Sequence, residues 1–163
     1  MSDKKKIDIY IVAGEASVGK SEAIRYIAGK TRKQRYNYET LVTTTDEDLN
    51  VFFRTQSLQE AEIEVANCIS ELNIKREVSA IIIALRTDSY KGFPIAEKYI
   101  DFYAKHGYNI KFVAELFAKI QNSSRQTPLE AYCKNKGYKH KKFPFEQNVN
   151  VKCQKVKQFF GFK

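Results

Sequence analysis

The stretch Ile7-Asp8-Ile9-Tyr10-Ile11-Val12-Ala13-Gly14-Glu15-Ala16-Ser17-Val18-Gly19-Lys20-Ser21 decides how the rest of this 163-residue chain is read. All of its first seven residues but Asp8 are apolar, and β-branched side chains dominate them, as in a strand buried in a sheet. Gly14 to Gly19 reads as a loop. From Lys20 the apolar period changes, because Ala23/Ile27 and Ile24/Ala28 repeat at four. That spacing gives a helix with one apolar stripe, and Gly29 stands where the helix can end.

The pattern continues outward. A polar linker, residues 30–37, holds Arg32, Lys33 and Arg35, and Tyr38 to Thr43 reads as a short strand. Ser57-Leu58-Gln59-Glu60 is a capping box, and the apolar stripe Leu58, Ala61, Val65, Ile69, Leu72 predicts a helix from it to about Leu72. Ser79 to Leu85 is a continuous apolar run suited to a strand buried on both faces. Pro94 at the first helical position and Gly107 past the end bracket another helix, with Asn109 to Leu116 as the next strand. Thr127-Pro128-Leu129-Glu130 opens a helix that Gly137 closes, and residues 139–145 read as a loop. Val149, Cys153, Val156 and Phe160 repeat at helical spacing, so a last amphipathic helix ends near Gly161. Four strands are plain, and Val51-Phe52-Phe53 offers a fifth. Strands alternating with helices imply an α/β fold of three layers, a mainly parallel sheet of four to five strands with helices on both faces.

Composition agrees with a folded domain. Hydrophobic residues make up 43% and charged residues 29%, with only 7 Gly and 3 Pro, which excludes collagen-like, low-complexity and disordered chains. No apolar run reaches the roughly 18–20 residues of a membrane span, and the expected location is the cytoplasm. Cys68, Cys133 and Cys153 are far apart, and His106 and His140 stand alone, so neither a zinc site nor a disulfide framework is expected. The charge is unevenly placed. Residues 1–131 hold 19 Lys/Arg against 18 Asp/Glu, whereas residues 132–163 hold 9 Lys against the single acid Glu146. The expected division is a core over residues 1–125 and a basic, aromatic helical segment over 126–163, either part of the same domain or an appendage.

Gly14-Glu15-Ala16-Ser17-Val18-Gly19-Lys20-Ser21 fits the pattern GxxxxGK[ST] at every fixed position, after a strand and at a helix start. In that setting loop and helix N–H groups turn inward and cradle phosphate oxygens. Gly14 and Gly19 permit the backbone angles, Lys20 reaches the outer phosphates, and the Ser21 hydroxyl is placed to ligand Mg²⁺. The segment resembles the Walker A motif of the P-loop NTPase superfamily over residues 7–28. The resemblance implies a P-loop NTPase-like fold, ATP and Mg²⁺ as ligands, and phosphoryl transfer; with no Asn-Lys-x-Asp motif, ATP is preferred to GTP.

The resemblance also calls for an acid on the metal side. No strand ends directly in Asp. Asp46 follows Thr43-Thr44-Thr45 and Asp88 follows Arg86-Thr87. Both are candidates, with Lys20, as catalytic residues, and Asp46 is the slight favourite as the metal ligand beside Ser21. Residues 78–117 are similar to the second half of ParA/MinD-type ATPases and their relatives encoded on conjugative plasmids, which implies a nucleotide switch with a protein, DNA or second-copy partner. Glu15 stands where that group carries a signature lysine, and its charge should face solvent. The competing reading is a kinase of nucleotides or small metabolites, with Arg54, Arg86 and Arg125 as phosphate clamps. The basic segment has three readings: lysines and aromatics against nucleic acid, the Val149/Cys153/Val156/Phe160 stripe on an anionic membrane, or that stripe packed on the body.

Overall fold

Strands β1 (Asp8–Gly14), β2 (Tyr36–Val42), β3 (Asp48–Arg54), β4 (Ala80–Arg86), β5 (Asn109–Leu116) and β6 (His140–Phe143) build one sheet in the order β2-β3-β4-β1-β5-β6. The computed structural model describes residues 5–29 and 36–163. Residues 1–4 and the linker arginines and lysine, Arg32, Lys33 and Arg35, lie outside the described residues. Among the described strands only the β2/β3 pair is antiparallel; β3/β4, β4/β1, β1/β5 and β5/β6 are all parallel. The fold is therefore mixed α/β with a mostly parallel sheet of six strands.

Helices α1 (Lys20–Ile27) and α4 (Val149–Phe160) cover one face, and α2 (Ala96–Lys105) and α3 (Pro128–Lys136) the other. Alternation in the central strands supplies both cores. Ile9, Ile11 and Ala13 of β1 face α2, while Tyr10 and Val12 face α1 and α4. All seven residues of β4 are buried, which explains its unbroken apolar run. The chain leaves β1 toward β2 and β3 by way of α1, and leaves β4 toward β5 by way of α2 on the opposite face. Travel in opposite directions over opposite faces is what crossovers of a single hand require.

The sixth strand departs from the expected loop over residues 139–145. Lys139-His140-Lys141-Lys142 looks like a solvated run, yet it alternates across an edge strand. His140 and Lys142 point to one face, where they meet Glu115 at 2.8 Å and Glu130 at 3.0 Å. Lys141 lies over the Phe143 ring, and the Lys139 ammonium just before the strand lies over Phe112. Lysines on an edge also discourage pairing with another chain.

A second departure is the helix expected from Ser57 to Leu72. The Ser57 hydroxyl does accept from the Glu60 N–H at 3.2 Å. The turn then breaks at Glu62, whose φ is +58°, and only two short 3₁₀ helices follow, Val65–Asn67 and Ser70–Leu72. The buried residues are Leu58, Ile63, Cys68 and Leu72, a spacing near five that a 3.6-residue period cannot keep on one side. Carbonyls left without helical partners are met from α2: the Tyr99 hydroxyl donates to Ile63 O at 2.7 Å and the Tyr103 hydroxyl to Cys68 O at 2.6 Å.

α3 begins and ends as its capping residues dictate. The Thr127 hydroxyl accepts from Glu130 N and Gly137 adopts a φ of +77°. α4 buries Cys153, Val156 and Phe160, while Val149 is 43% exposed. Cys153, Val156 and Phe160 of the apolar stripe therefore lie against the sheet with Tyr10 and Phe143. Among the described residues no helix is long and apolar enough to cross a membrane.

Candidate functional site

The carboxyl end of β1 lies where the sheet's connections diverge, with β4 on one side and β5 on the other. In parallel α/β sheets this crevice is where ligands bind. Gly14 is level with Arg86 of β4, and a β-carbon at Gly14 would stand 2.9 Å from the Leu116 carbonyl of β5 and 2.5 Å from the Val18 side chain. Glycine is thus required here by close packing. Gly19 is required for a different reason, its φ of +94°. Glu15, Ala16 and Ser17 are exposed at the crest and Val18 tucks into the core, so the Glu15 carboxylate does face outward.

Lys20 opens α1 and is only 6% exposed. Its ammonium folds back over the loop and donates to the carbonyls of Gly14 at 3.1 Å and Glu15 at 2.6 Å. Burial pushes this lysine down to about 8, opposed first by the Glu60 charge, assisted by Arg86, and opposed again by Asp88 and Glu15. A cation held at a desolvation cost inside a glycine loop favours an anion beside it. Ser21 spends its hydroxyl proton on the Thr55 carbonyl at 2.8 Å, leaving its oxygen lone pairs free to accept.

The acids around Lys20 come from two loops that the sheet brings together. Arg86 closes β4 and holds Asp88 through two nitrogens, at 3.0 and 2.8 Å, with Glu60 at 3.4 Å and the Tyr90 ring beneath its guanidinium at 4.7 Å. That pairing holds the Asp88 carboxyl below its ordinary value. The Gln59 side chain, fully buried, donates to Arg86 O and accepts from Arg86 N, each at 3.0 Å, which fixes the corner.

Asp46 is elsewhere, which corrects its assignment as metal ligand and catalytic acid. It sits in the β2/β3 turn with a φ of +64°, mostly exposed, and pairs with Lys163. β3 runs parallel to β4 with Val51 level with Ala80, so this turn lies beyond the amino ends of the strands, while Gly14 is level with Arg86 at the carboxyl ends. At about 3.3 Å per residue the two lie more than roughly 20 Å apart. The three-threonine lead-in serves the turn instead: Thr43 Oγ1 accepts from Glu47 N at 3.0 Å.

The hydroxyl at the helix start is that of Ser21, and the carboxylates of Glu60 and Asp88 act by their charge on Lys20. One hydroxyl and one or two carboxylates suit Mg²⁺, which keeps several waters and takes its remaining ligands from phosphates. Among the described residues no three His, Cys, Asp or Glu gather to hold a metal by themselves. Arg86 ends β4 and Arg125 lies in the loop after β5, at the end of the sheet where Gly14 stands, whereas Arg54 falls level with Ile83, three residues short of Arg86, and its charge acts on Tyr103 of α2.

Sequence reasoning missed Glu60, Gln59 and Lys152. Glu60 and Gln59 were legible only as helix-cap residues. Lys152 of α4 is 5% exposed and donates to the Val18 carbonyl at 2.7 Å, 134 residues away along the chain. The chain matches no protein-family model, and comparison with curated proteins finds no match.

Proposed function

We propose that residues 14–21 bind the phosphates of a nucleoside triphosphate, ATP in first place, and that the protein is a Mg²⁺-dependent ATPase working as a nucleotide switch, as its resemblance to P-loop NTPases implies. One observation carries the reading. A nearly buried lysine ammonium is folded into a glycine loop at a helix start, at the carboxyl end of the central strand. Lys20 would leave the Gly14 and Glu15 carbonyls for the outer phosphates. Ser21 and, directly or through water, Asp88 or Glu60 would hold Mg²⁺, and Arg86 is placed to steady charge on the transferring group. A cytoplasmic location, where buried thiols such as Cys68, Cys133 and Cys153 stay reduced, goes with this reading.

A partner would be a polyanion such as DNA or RNA. The observation favouring it is that Lys134, Lys136, Lys139 and Lys141 are all exposed within one short stretch that contains no acid. A phosphotransferase is the second reading, favoured by Arg86 and Arg125 at the end of the sheet where Gly14 stands.

Titration calorimetry with Mg-ATP, followed by phosphate-release assays with and without DNA, tests the proposal. The expected result is binding by the wild type, its loss in Lys20→Ala, and turnover that Asp88→Asn reduces about 10²-fold or more while Asp46→Asn leaves it unchanged. Turnover that waits for a small acceptor selects the phosphotransferase. A wild type that binds no nucleotide overturns the P-loop reading.

A further inference from the structure

Nine lysines lie in residues 132–163, and one of them is not on the surface. Lys152 sits on α4 beside Cys153, and its side chain passes under the loop that joins β1 to α1. Its Nζ donates to the Val18 carbonyl at 2.7 Å and comes within 2.7 Å of where a β-carbon on Gly19 would stand. Glu22 of the first turn of α1 approaches the same point at 3.1 Å. α4 is held against α1 nearby, where the Tyr26 hydroxyl donates to Gln154 Oε1 at 2.7 Å. A buried ammonium needs hydrogen-bond acceptors, and the Val18 carbonyl supplies one.

The peptide joining Val18 to Gly19 is trans. In a trans peptide the C=O and the N–H point in opposite directions. Fixing the Val18 carbonyl toward α4 therefore turns the Gly19 N–H away from α4. The left-handed φ of Gly19 then carries the chain directly into α1, whose first N–H groups have no intrahelical partners.

We propose that Lys152 is a positioning residue for the phosphate loop: by holding the Val18 carbonyl it aims the Gly19 N–H into the anion site, and so makes the C-terminal helix part of the nucleotide-binding machinery. This rests on the phosphate-binding reading of residues 14–21. Lys152 need not touch the nucleotide. Its partner is the backbone, and its effect is on which way one donor faces. Two ammonium groups then shape the loop from different anchors, Lys20 on the Gly14 and Glu15 carbonyls and Lys152 on that of Val18.

The test uses the full chain and two probes, Mg-ATP and inorganic triphosphate, titrated calorimetrically into wild type, Lys152→Met, Lys152→Arg and Lys20→Met. The ¹H–¹⁵N signal of Gly19 is followed in the same titrations, because its downfield movement on phosphate binding reports that one N–H and is indifferent to a general loosening. Lys152→Met should weaken both probes about ten- to hundredfold, as expected for one lost hydrogen bond to a charged group, and should abolish the Gly19 shift. Lys152→Arg, which keeps a donor for the carbonyl, should recover most of both. Wild-type affinity and a wild-type Gly19 shift in Lys152→Met overturn the inference while Lys20→Met, if it fails to bind, leaves the phosphate loop standing. Should Lys152→Met not fold, Lys152→Arg decides: a variant that holds the Val18 carbonyl and keeps the Gly19 shift supports the inference, and one that keeps the shift without any contact to Val18 O, or loses it with that contact intact, overturns it. A wild type that binds neither probe overturns both readings.

Discussion

Removing the Lys20 ammonium should change the pH dependence of stability in one defined window. Burial lowers this group from the ordinary 10.5 to about 8. Below about pH 8 both the folded and the unfolded chain hold the proton, and the folded state bears the full cost of the buried charge. Between about 8 and 10.5 the folded protein has released the proton and the unfolded chain still keeps it. The unfolded state then binds more protons, so stability rises with pH across that window. A shift of this size corresponds to about 3 kcal/mol. The charged groups facing the ammonium are Glu60, Arg86, Asp88 and Glu15, and all four are present in both proteins being compared. Urea denaturation of wild type and Lys20→Met at half-unit steps from pH 7 to 10.5 measures it. Tyr and Cys groups raised by burial are present in both proteins and cancel in the difference. Wild-type stability relative to Lys20→Met should climb by about 3 kcal/mol over the window. A flat difference refutes the argument, since it means the ammonium is hydrated in solution and not folded over the Gly14 and Glu15 carbonyls. If the loop binds triphosphate, an anion beside Lys20 restores its charge, and Mg-ATP binding near pH 8.5 should take up protons, read as a dependence of the binding heat on buffer ionisation heat.

Two further changes test the packing of the site. Gly14→Ala places a methyl 2.9 Å from the Leu116 carbonyl, which the β1/β5 pairing prevents from moving, so a loss of about 1–3 kcal/mol and a melting temperature lower by roughly 2–4 °C per kcal/mol are expected by calorimetry; an unchanged melting temperature would show that β1 and β5 separate freely. Truncation after Asn148 removes Cys153, Val156, Phe160 and Phe162 from the core, and with a buried Phe alone worth about 3–5 kcal/mol the shortened chain should lack a cooperative unfolding transition; a sharp transition in the truncated chain would mean that α4 docks only loosely.

The fold was legible where one signal decides one element. A run of β-branched residues between turn signals marked β1 and β4, and paired caps bracketed α3 from Thr127 to Gly137. The sequence misled where a local signal is true but local. Ser57 caps a turn as its capping box says, yet Glu62 enters the left-handed region and the chain runs flat over α2, because Leu58, Ile63, Cys68 and Leu72 must all reach one face. The edge strand β6 was hidden because two of its polar side chains are matched to acids supplied by other elements, Glu115 for His140 and Glu130 for Lys142. The loop of the candidate site was readable because it is contiguous. Asp46 was misplaced because a strand end has a direction: the end of β2 is at the amino end of its neighbours, and only pairing between strands reveals that.

The same limit applies to the basic C-terminal segment, and it changes what that segment can do. A lysine on the flank of an apolar helical stripe has two destinations, water or a polar group under the helix, and periodicity does not separate them. The structure separates them. Lys152 turns inward to the Val18 carbonyl, Lys142, Lys155 and Lys163 pair with Glu130, Glu146 and Asp46, and Lys157 lies 5.9 Å from the centre of the Tyr26 ring. Much of the excess positive charge thus meets acids, a ring or a carbonyl within the molecule. Four exposed lysines, Lys134, Lys136, Lys139 and Lys141, gather between the end of α3 and the start of β6, the last two over the Phe112 and Phe143 rings. Sequence-independent attraction for a polyanion must therefore centre there and not on α4, so neutralising these four lysines should flatten the salt dependence of any nucleic-acid binding by up to about 3–4 units of slope. Exchanging Lys155 and Lys163, already paired with acids, should leave it nearly unchanged, and an equal loss from either set would place the contact surface on α4 after all.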